Sequence, residues 1–283
     1  MKKLRTISLI AISLAFVACS SDDDATVANN VKLEFKNTFG DTEIVLSETV
    51  NTSDAGQVHH FSELKYVISN IRLIKADGTE VPYNINDLDK GATVVNHANP
   101  ATLNYLMSNI PIGEYKQIKF GLGVRNDLNT LDQIRFPNFY ATAGANDTEM
   151  MWEWGTGYRF TKIEGFYDAD NKEMSIHTGS TVEGTDGDES TYTQGVDAYR
   201  NIVLDLPQNA VVGSKAPKIT IKADFDKLLS GSSIITLSTG TGMNDNATPN
   251  IHTAVQMIKF VDNIGGNGTT DQKGMFSIHS VEN

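Results

Sequence analysis

The chain has 283 residues, a formal charge of -12 and one cysteine, Cys19. An acidic surface of this kind argues against nucleic acid and anionic lipid as partners and tolerates cations. With a lone cysteine there are no intrachain disulfides and no multi-cysteine zinc sites.

Residues 1–18, MKKLRTISLIAISLAFVA, open with Lys2, Lys3 and Arg5 and continue as an apolar run from Ile7. The run is too short to span a bilayer and reads as a secretory signal. Cys19 follows Phe16-Val17-Ala18, where a bacterial lipobox carries its lipidated residue, so a lipoprotein cleaved before Cys19 and anchored by acyl chains is expected. Removal of the three basic residues takes the formal charge from -12 to -15. Residues 19–30 read as a lipidated polar tether without apolar periodicity. Its Ser21-Asp22-Asp23-Asp24 run serves either as a solvated spacer or as the signal by which Bacteroidetes lipoproteins reach the outer face of the outer membrane. Residues 31–283 are then one domain, large enough for a substantial core.

Strand signals recur through that domain: VKLEF at 31–35, KYVISNIRLI at 65–74, QIKFGLGV at 117–124, GYRFTKIEGFY at 157–167, NIVLDL at 201–206, KITIKADF at 218–225 and MFSIHSV at 275–281. In the second, the apolar parity changes between Ile68 and Ile71, which predicts a β-bulge near Ser69-Asn70. Two short helices are expected. One follows the Asn99-Pro100 cap with Leu103, Leu106 and Met107 as its stripe; the other follows Thr248-Pro249 with Ile251, Ala254, Val255 and Ile258. Residues 179–194 are polar and read as a long exposed loop. The fold class is mainly β, an antiparallel β-sandwich with two short helices.

No G-x-S-x-G, HExxH, Walker or dinucleotide fingerprint occurs, so no catalytic class has a motif, and a non-enzymatic protein is expected. Histidine carries the chemistry instead. Six are present, at 59, 60, 97, 177, 252 and 279, and imidazole is the ligand left to a borderline metal where thiolate is lacking. His177 lies on a strand that pairs back on GYRFTKIEGFY across the Asp168–Asn171 turn, which would bring it near Trp152 and Trp154, the whole tryptophan content of the chain. In W-E-W the two indoles share a face, a platform suited to a sugar, a metal-bound histidine or simple core filling. Two oxygen-rich groups, Asp168, Asp170, Asn171 and Glu173, and Asp186, Asp188 and Glu189, are either solvated turns or, less favoured, calcium ligands.

FSELKYVISNIRL with its following Asp77-Gly78 turn, IPIGEYKQIKFGLGV, MMWEWGTGYRFTKIEGFY, the H-T-G at 177–179 and the terminal MFSIHSV, in this order, resemble the MbnP-like family of secreted bacterial proteins. The resemblance runs from about Val31 to Val281. It implies a β-sandwich that binds copper through histidines, and a tryptophan oxidised to kynurenine by a dihaem peroxidase-like partner. By position, Trp152 or Trp154 would be the modified residue and His177 a copper ligand, with His60 and His252 as weaker candidates. The expected function is therefore that of a surface-exposed outer-membrane lipoprotein of a Gram-negative, Bacteroidetes-like envelope, binding copper without catalysis for acquisition or storage. The alternative is a glycan-binding or structural component of a surface assembly.

Overall fold

The computed structural model describes residues 28–144, 149–152, 157–185, 188–213, 215–238, 250–251, 254–266 and 274–283. The leader, Cys19 and most of the tether lie outside the described residues, as do Trp154, Asp186 and His252. Among the described residues no helix is long and apolar enough to cross a membrane, which says nothing of strands.

The first half of the domain comprises β1 (Val31–Phe39), β2 (Thr42–Glu43), β3 (Asn51–Thr52), β4 (Val58–Lys75), β5 (Glu80–Pro82), α1 (Leu88–Gly91), β6 (Thr93–Asn96), β7 (Asn104–Met107), β8 (Gly113–Leu122) and α2 (Pro137–Ala143). The second half comprises β9 (Arg159–Tyr167), β10 (Lys172–Glu183), β11 (Thr193–Asp197), β12 (Arg200–Val212), β13 (Lys218–Asp224), α3 (Phe225–Leu229), β14 (Asn250–Ile251), α4 (Ala254–Ile264) and β15 (Phe276–Glu282). They form two sheets. The larger runs β11-β10-β9-β4-β8-β12, with β14 on β10 and β3, β5 and β6 on β4; the smaller runs β15-β13-β1-β2, with β7 also on β1. Pairing is mostly antiparallel, and β1 with β13 is a parallel exception.

An aromatic spine joins the two layers. Phe35 and Phe276 of the smaller sheet meet Tyr66 of β4 edge-on at 6.1 and 5.8 Å between ring centroids, and Phe276 also meets Phe120 of β8 at 5.3 Å. Such pairs contribute about 0.5–1.5 kcal/mol each beyond the burial of their area. The Tyr66 hydroxyl is fully enclosed and donates to Asn37 Oδ1 (2.9 Å), while Asn37 Nδ2 lies 3.0 Å from His97 Nδ1 and His97 Nε2 lies 2.8 Å from the Ile44 carbonyl. A hydrogen-bonded chain thus leads from the core to the sheet edge and leaves both His97 nitrogens engaged.

The expected bulge is present. Asn70 has a φ of 52°, and the register of β4 on β8 shifts between Ser69 and Arg72. The short helices differ from expectation. Asn99 does cap and Pro100 does open a helix, but it is a single 3-10 turn over Pro100–Leu103. Asn104–Met107 then pairs with β1, with Met107 buried and Leu106 exposed. So short a helix has little stability of its own, and the open edge of β1 offers backbone partners. In α4 the buried stripe is Met257, Phe260, Val261 and Ile264, while Ile258 is exposed and Ile251 belongs to β14. The polar stretch 179–194 is largely an edge hairpin, β10 continuing to Glu183 and pairing with β11. Val182 and Tyr192 are exposed there, so no apolar alternation marked it.

His59 marks a cost within this fold. It is 0% exposed, and neither ring nitrogen has a hydrogen-bond partner among the described residues. Burial pushes its pKa from 6.5 down to about 4, with Asp168 pulling weakly the other way. The folded state therefore binds fewer protons than the unfolded state between those values. Stability is fully present above pH 6.5 and falls as pH drops towards 4, by at most about 3 kcal/mol from this group. His177, lowered in the same direction by burial, adds to the loss of stability on acidification. Urea midpoints measured from pH 7 to 4.5 should decline in the native protein and decline less steeply in His59→Leu; equal slopes would refute the assignment.

Candidate functional site

The pairing of three strands fixes which side chains meet. On the larger sheet Lys65 of β4 lies opposite Lys162 of β9, which lies opposite His177 of β10; the next row is Glu63, Glu164 and Ser175. Directly opposed residues share a face, so two lysines and a histidine stand side by side with carboxylates in the adjoining row. This is the face turned away from the aromatic spine, since Leu64, Tyr66 and Ile163 point the other way.

Like charges opposite one another repel unless anions are interleaved. Lys162 Nζ has Glu149 Oε2 at 2.5 Å, Glu63 Oε1 at 3.1 Å and Glu164 Oε1 at 3.7 Å, and Lys65 is also paired with Glu63. The Lys162 side chain is only 5% exposed. Burial alone would lower its pKa, but hydrogen bonds and charge from Glu149, Glu63 and Glu164 outweigh burial and raise it. His177 Nε2 lies 2.9 Å from Glu164 Oε1 and 3.1 Å from Ser175 Oγ. Its hydrogen bond to His177 is the main reason Glu164 is held down at about 2, against burial and with help from Lys162. For His177 itself burial prevails over Glu164, so its pKa is lowered and the ring is neutral at physiological pH.

The segment before β9 covers this network. Met150 N donates to the Ala143 carbonyl and Arg159 N to the Met150 carbonyl, while Trp152 N donates to the Gly157 carbonyl. That lays Trp152 over β10, with its ring centroid 6.1 Å from that of His177 and the Arg159 guanidinium 5.1 Å from the indole ring. Space for the indole comes from Gly179, where a Cβ would sit 2.4 Å from Trp152 Nε1 and 3.1 Å from the Tyr158 carbonyl oxygen. The glycine of H-T-G is thus explained by packing. The sequence-based expectation that the hairpin brings His177 to Trp152 agrees with this geometry.

Trp152 is 5% exposed, and Arg159 stands over its ring, so this indole offers no open face for stacking a sugar. His60 shares the face of His177 but pairs with Phe166, two strands across and four residues along from His177. Strand spacing makes that roughly 16 Å between Cα atoms, too far for two imidazoles to share one ion. Asp168 and Asp170 are held by Lys172 at 3.2 and 3.3 Å, and Asp168 also accepts from Gln57. Asp188 caps Ser190. For the described members of the two groups these are the bonds of turns. His279 is the extra residue of a bulge and is exposed. Among the described residues no three His, Cys, Asp or Glu side chains are grouped to hold one metal ion.

Lys162, Glu164, Glu63 and Glu149 were not singled out from the sequence. In T-K-I-E-G-F, Lys162 and Glu164 alternate with Ile163 like the wet face of a half-buried strand. Only the covering segment at 149–152 makes that face an interior.

A family model described as MbnP matches residues 28–252. Among solved structures the chain is similar to MbnP from Methylosinus trichosporium, with 15% identity, 72% of this chain and 78% of that chain covered, and a TM-score of 0.46. No curated protein sequence matches.

The close packing of Gly179 under Trp152 yields a test. Gly179→Ala should displace the indole and cost about 1–3 kcal/mol by overpacking. In a Trp154→Phe background, Trp152 emission should shift to the red and the urea midpoint should fall. Unchanged emission and midpoint would contradict the packing described.

Proposed function

Because the chain belongs to the MbnP family, we propose that it is a cell-envelope lipoprotein, anchored through Cys19 on the outer membrane, that binds copper as cargo for acquisition or storage and catalyses no reaction. The observation that carries this reading is the buried contact of His177 with Trp152, on the two motifs that bear the family likeness. The donor chemistry fits in kind, since a neutral imidazole with carboxylates nearby suits copper better than it suits a hard cation. His177 is the residue assigned to hold the ion. His60 is too distant to join it, and His252 lies outside the described residues.

The glycan alternative has less support, because Trp152 is covered. The rigid setting of Trp152, between Arg159, Gly179 and His177, accords with a residue kept for a defined chemical fate rather than for surface adhesion. We extend the proposal accordingly: a dihaem peroxidase-like partner oxidises a tryptophan of the W-x-W segment to kynurenine.

Copper titration tests the binding. The chain with Cys19→Ser, which keeps every described residue, should take up one copper ion, and His177→Ala should weaken uptake at least tenfold, a loss of about 1.4 kcal/mol or more. Equal affinity in the two proteins would remove the copper reading. The oxidation has its own readout. In protein from the native host, the proteolytic peptide that spans Trp152 and Trp154 should be about 4 Da heavier than its encoded mass, as the covalent change requires, and Trp152→Phe should abolish the increment if Trp152 is the site. An unmodified mass would exclude the oxidation while leaving the copper titration to stand by itself.

A further inference from the structure

At the β11 edge of the larger sheet a cleft of about 260 Å³ is built from three segments: the turn that follows β8, the end of β10, and the start of β11 with the residue before it. The turn is closed by the Asn129 N–H, which donates to the Asn126 carbonyl at 3.3 Å, and both side chains line the cleft. In the hairpin the register of β10 on β11 shifts between Ser180 and Val182. Bulges at sheet edges re-aim the side chains around them, and beyond this one Val182 stands opposite Gln194, both on the cleft.

The amides are fixed. Asn129 Oδ1 accepts from the Tyr158 N–H at 2.7 Å, and at Gly157, whose φ is +104°, a Cβ would lie 2.4 Å from that amide. Asn126 Nδ2 donates to Gln194 Oε1 at 2.9 Å. This bond uses one end of each amide and leaves Asn126 Oδ1, Gln194 Nε2 and Asn129 Nδ2 without a bond among the described residues, so that one acceptor and two donors serve a single cleft. Apolar surface is present beside them. Val182 is 42% and Tyr192 37% exposed, and the Tyr192 ring rests against Gly184, where a Cβ would lie 2.8 Å from Cδ1. No carboxylate, ammonium or guanidinium lines the cleft, although 20% of the residues of the chain are charged.

We infer that this cleft binds a neutral saccharide by one ring that carries neighbouring hydroxyl groups. An ion or a charged headgroup would lose water there without gaining a counter-charge, and a purely apolar ligand would cover the amides without pairing them. A hydroxyl both donates and accepts, so two adjacent hydroxyls match the acceptor of Asn126 beside the donor of Gln194. The C–H surface of the ring then packs on Val182 and Tyr192. Drug-sized ligands occupy pockets of about 300–1,000 Å³; the smaller volume here suits a single ring. Trp152 is not among the walls, and the cleft stands apart from the copper reading.

The test is a titration of the 15N-labelled Cys19→Ser chain with the methyl pyranosides of glucose, galactose, mannose and N-acetylglucosamine, read in the side-chain amide resonances. At least one of these probes should shift Asn126, Asn129 and Gln194 together. Glucuronate, which adds a carboxylate to the same ring, should bind more weakly than the neutral glucoside. Gln194→Glu keeps an acceptor for Asn126 but removes the donor, and should weaken binding about tenfold, as should Asn126→Ala. Tyr192→Phe, which keeps the ring, should bind as the native chain does, whereas Tyr192→Ala should bind less. Thermal melts identify a variant that fails to fold, and Gln194→Ala then replaces Gln194→Glu. Absence of shifts with all of the neutral probes, affinity unchanged by both amide substitutions, or preference for glucuronate would overturn the assignment.

Discussion

The register of β4 against β9 is the constraint on which both halves of the molecule depend. Because side chains alternate, one strand sends Leu64 and Tyr66 into the sandwich and Glu63 and Lys65 to the opposite face. A slip of one residue would exchange the two sets, putting charge against Phe35 and Phe276 and breaking the row of Lys65, Lys162 and His177. Two irregularities help to pin it: the shift between Phe61 and Glu63 on β9 and the shift between Ser69 and Arg72 on β8. Core and candidate site are therefore two readings of one alignment.

That coupling has an energetic side. The aromatic spine gains from burial, whereas the charged face loses solvation and recovers it only through complete pairing. Lys162 at 5% exposure is tolerable because three carboxylates reach it. Removing one partner of such a buried set typically costs about 3–5 kcal/mol. A surface strand could carry the same residues at almost no cost, so their enclosure under Glu149 and Trp152 is a cost to stability.

Much of this was legible in the sequence where a local rule and the tertiary structure agree. The parity change in KYVISNIRLI foretold the bulge because Asn70 accepts a positive φ. The Asp168–Asn171 turn foretold the hairpin, and with it the meeting of His177 and Trp152. Legibility failed where partners distant in sequence decide the outcome. The spacing of Leu103, Leu106 and Met107 fits a helix, yet Asn104–Met107 is drawn to the edge of β1, more than sixty residues earlier in the chain. The alternation of Lys162 and Glu164 looks like a wet face until the 149–152 segment is laid over it. The 179–194 stretch has the composition of a loop because both of its sides meet water, and composition cannot distinguish an edge hairpin from a loop.

Among the described residues the larger sheet groups no three metal-donor side chains. Neighbouring strands stand about 4.8 Å apart, and residues on one face are about 6.6–6.8 Å apart along a strand. Side chains at such spacings meet at one ion only where several of them carry donors, and on this face His177 is the one imidazole of its row, beside Lys162 and Lys65. A sheet is well suited to orienting a ring, as Glu164 and Ser175 orient His177 from their shared row. Proximity of a further donor has to come from whatever lies over the sheet. In this fold that is the segment entering β9, which already brings Glu149 to Lys162 and Trp152 to His177. The division of labour places the specificity of the site in the short stretch holding both tryptophans: the strands hold His177 still, and the covering segment determines what meets it.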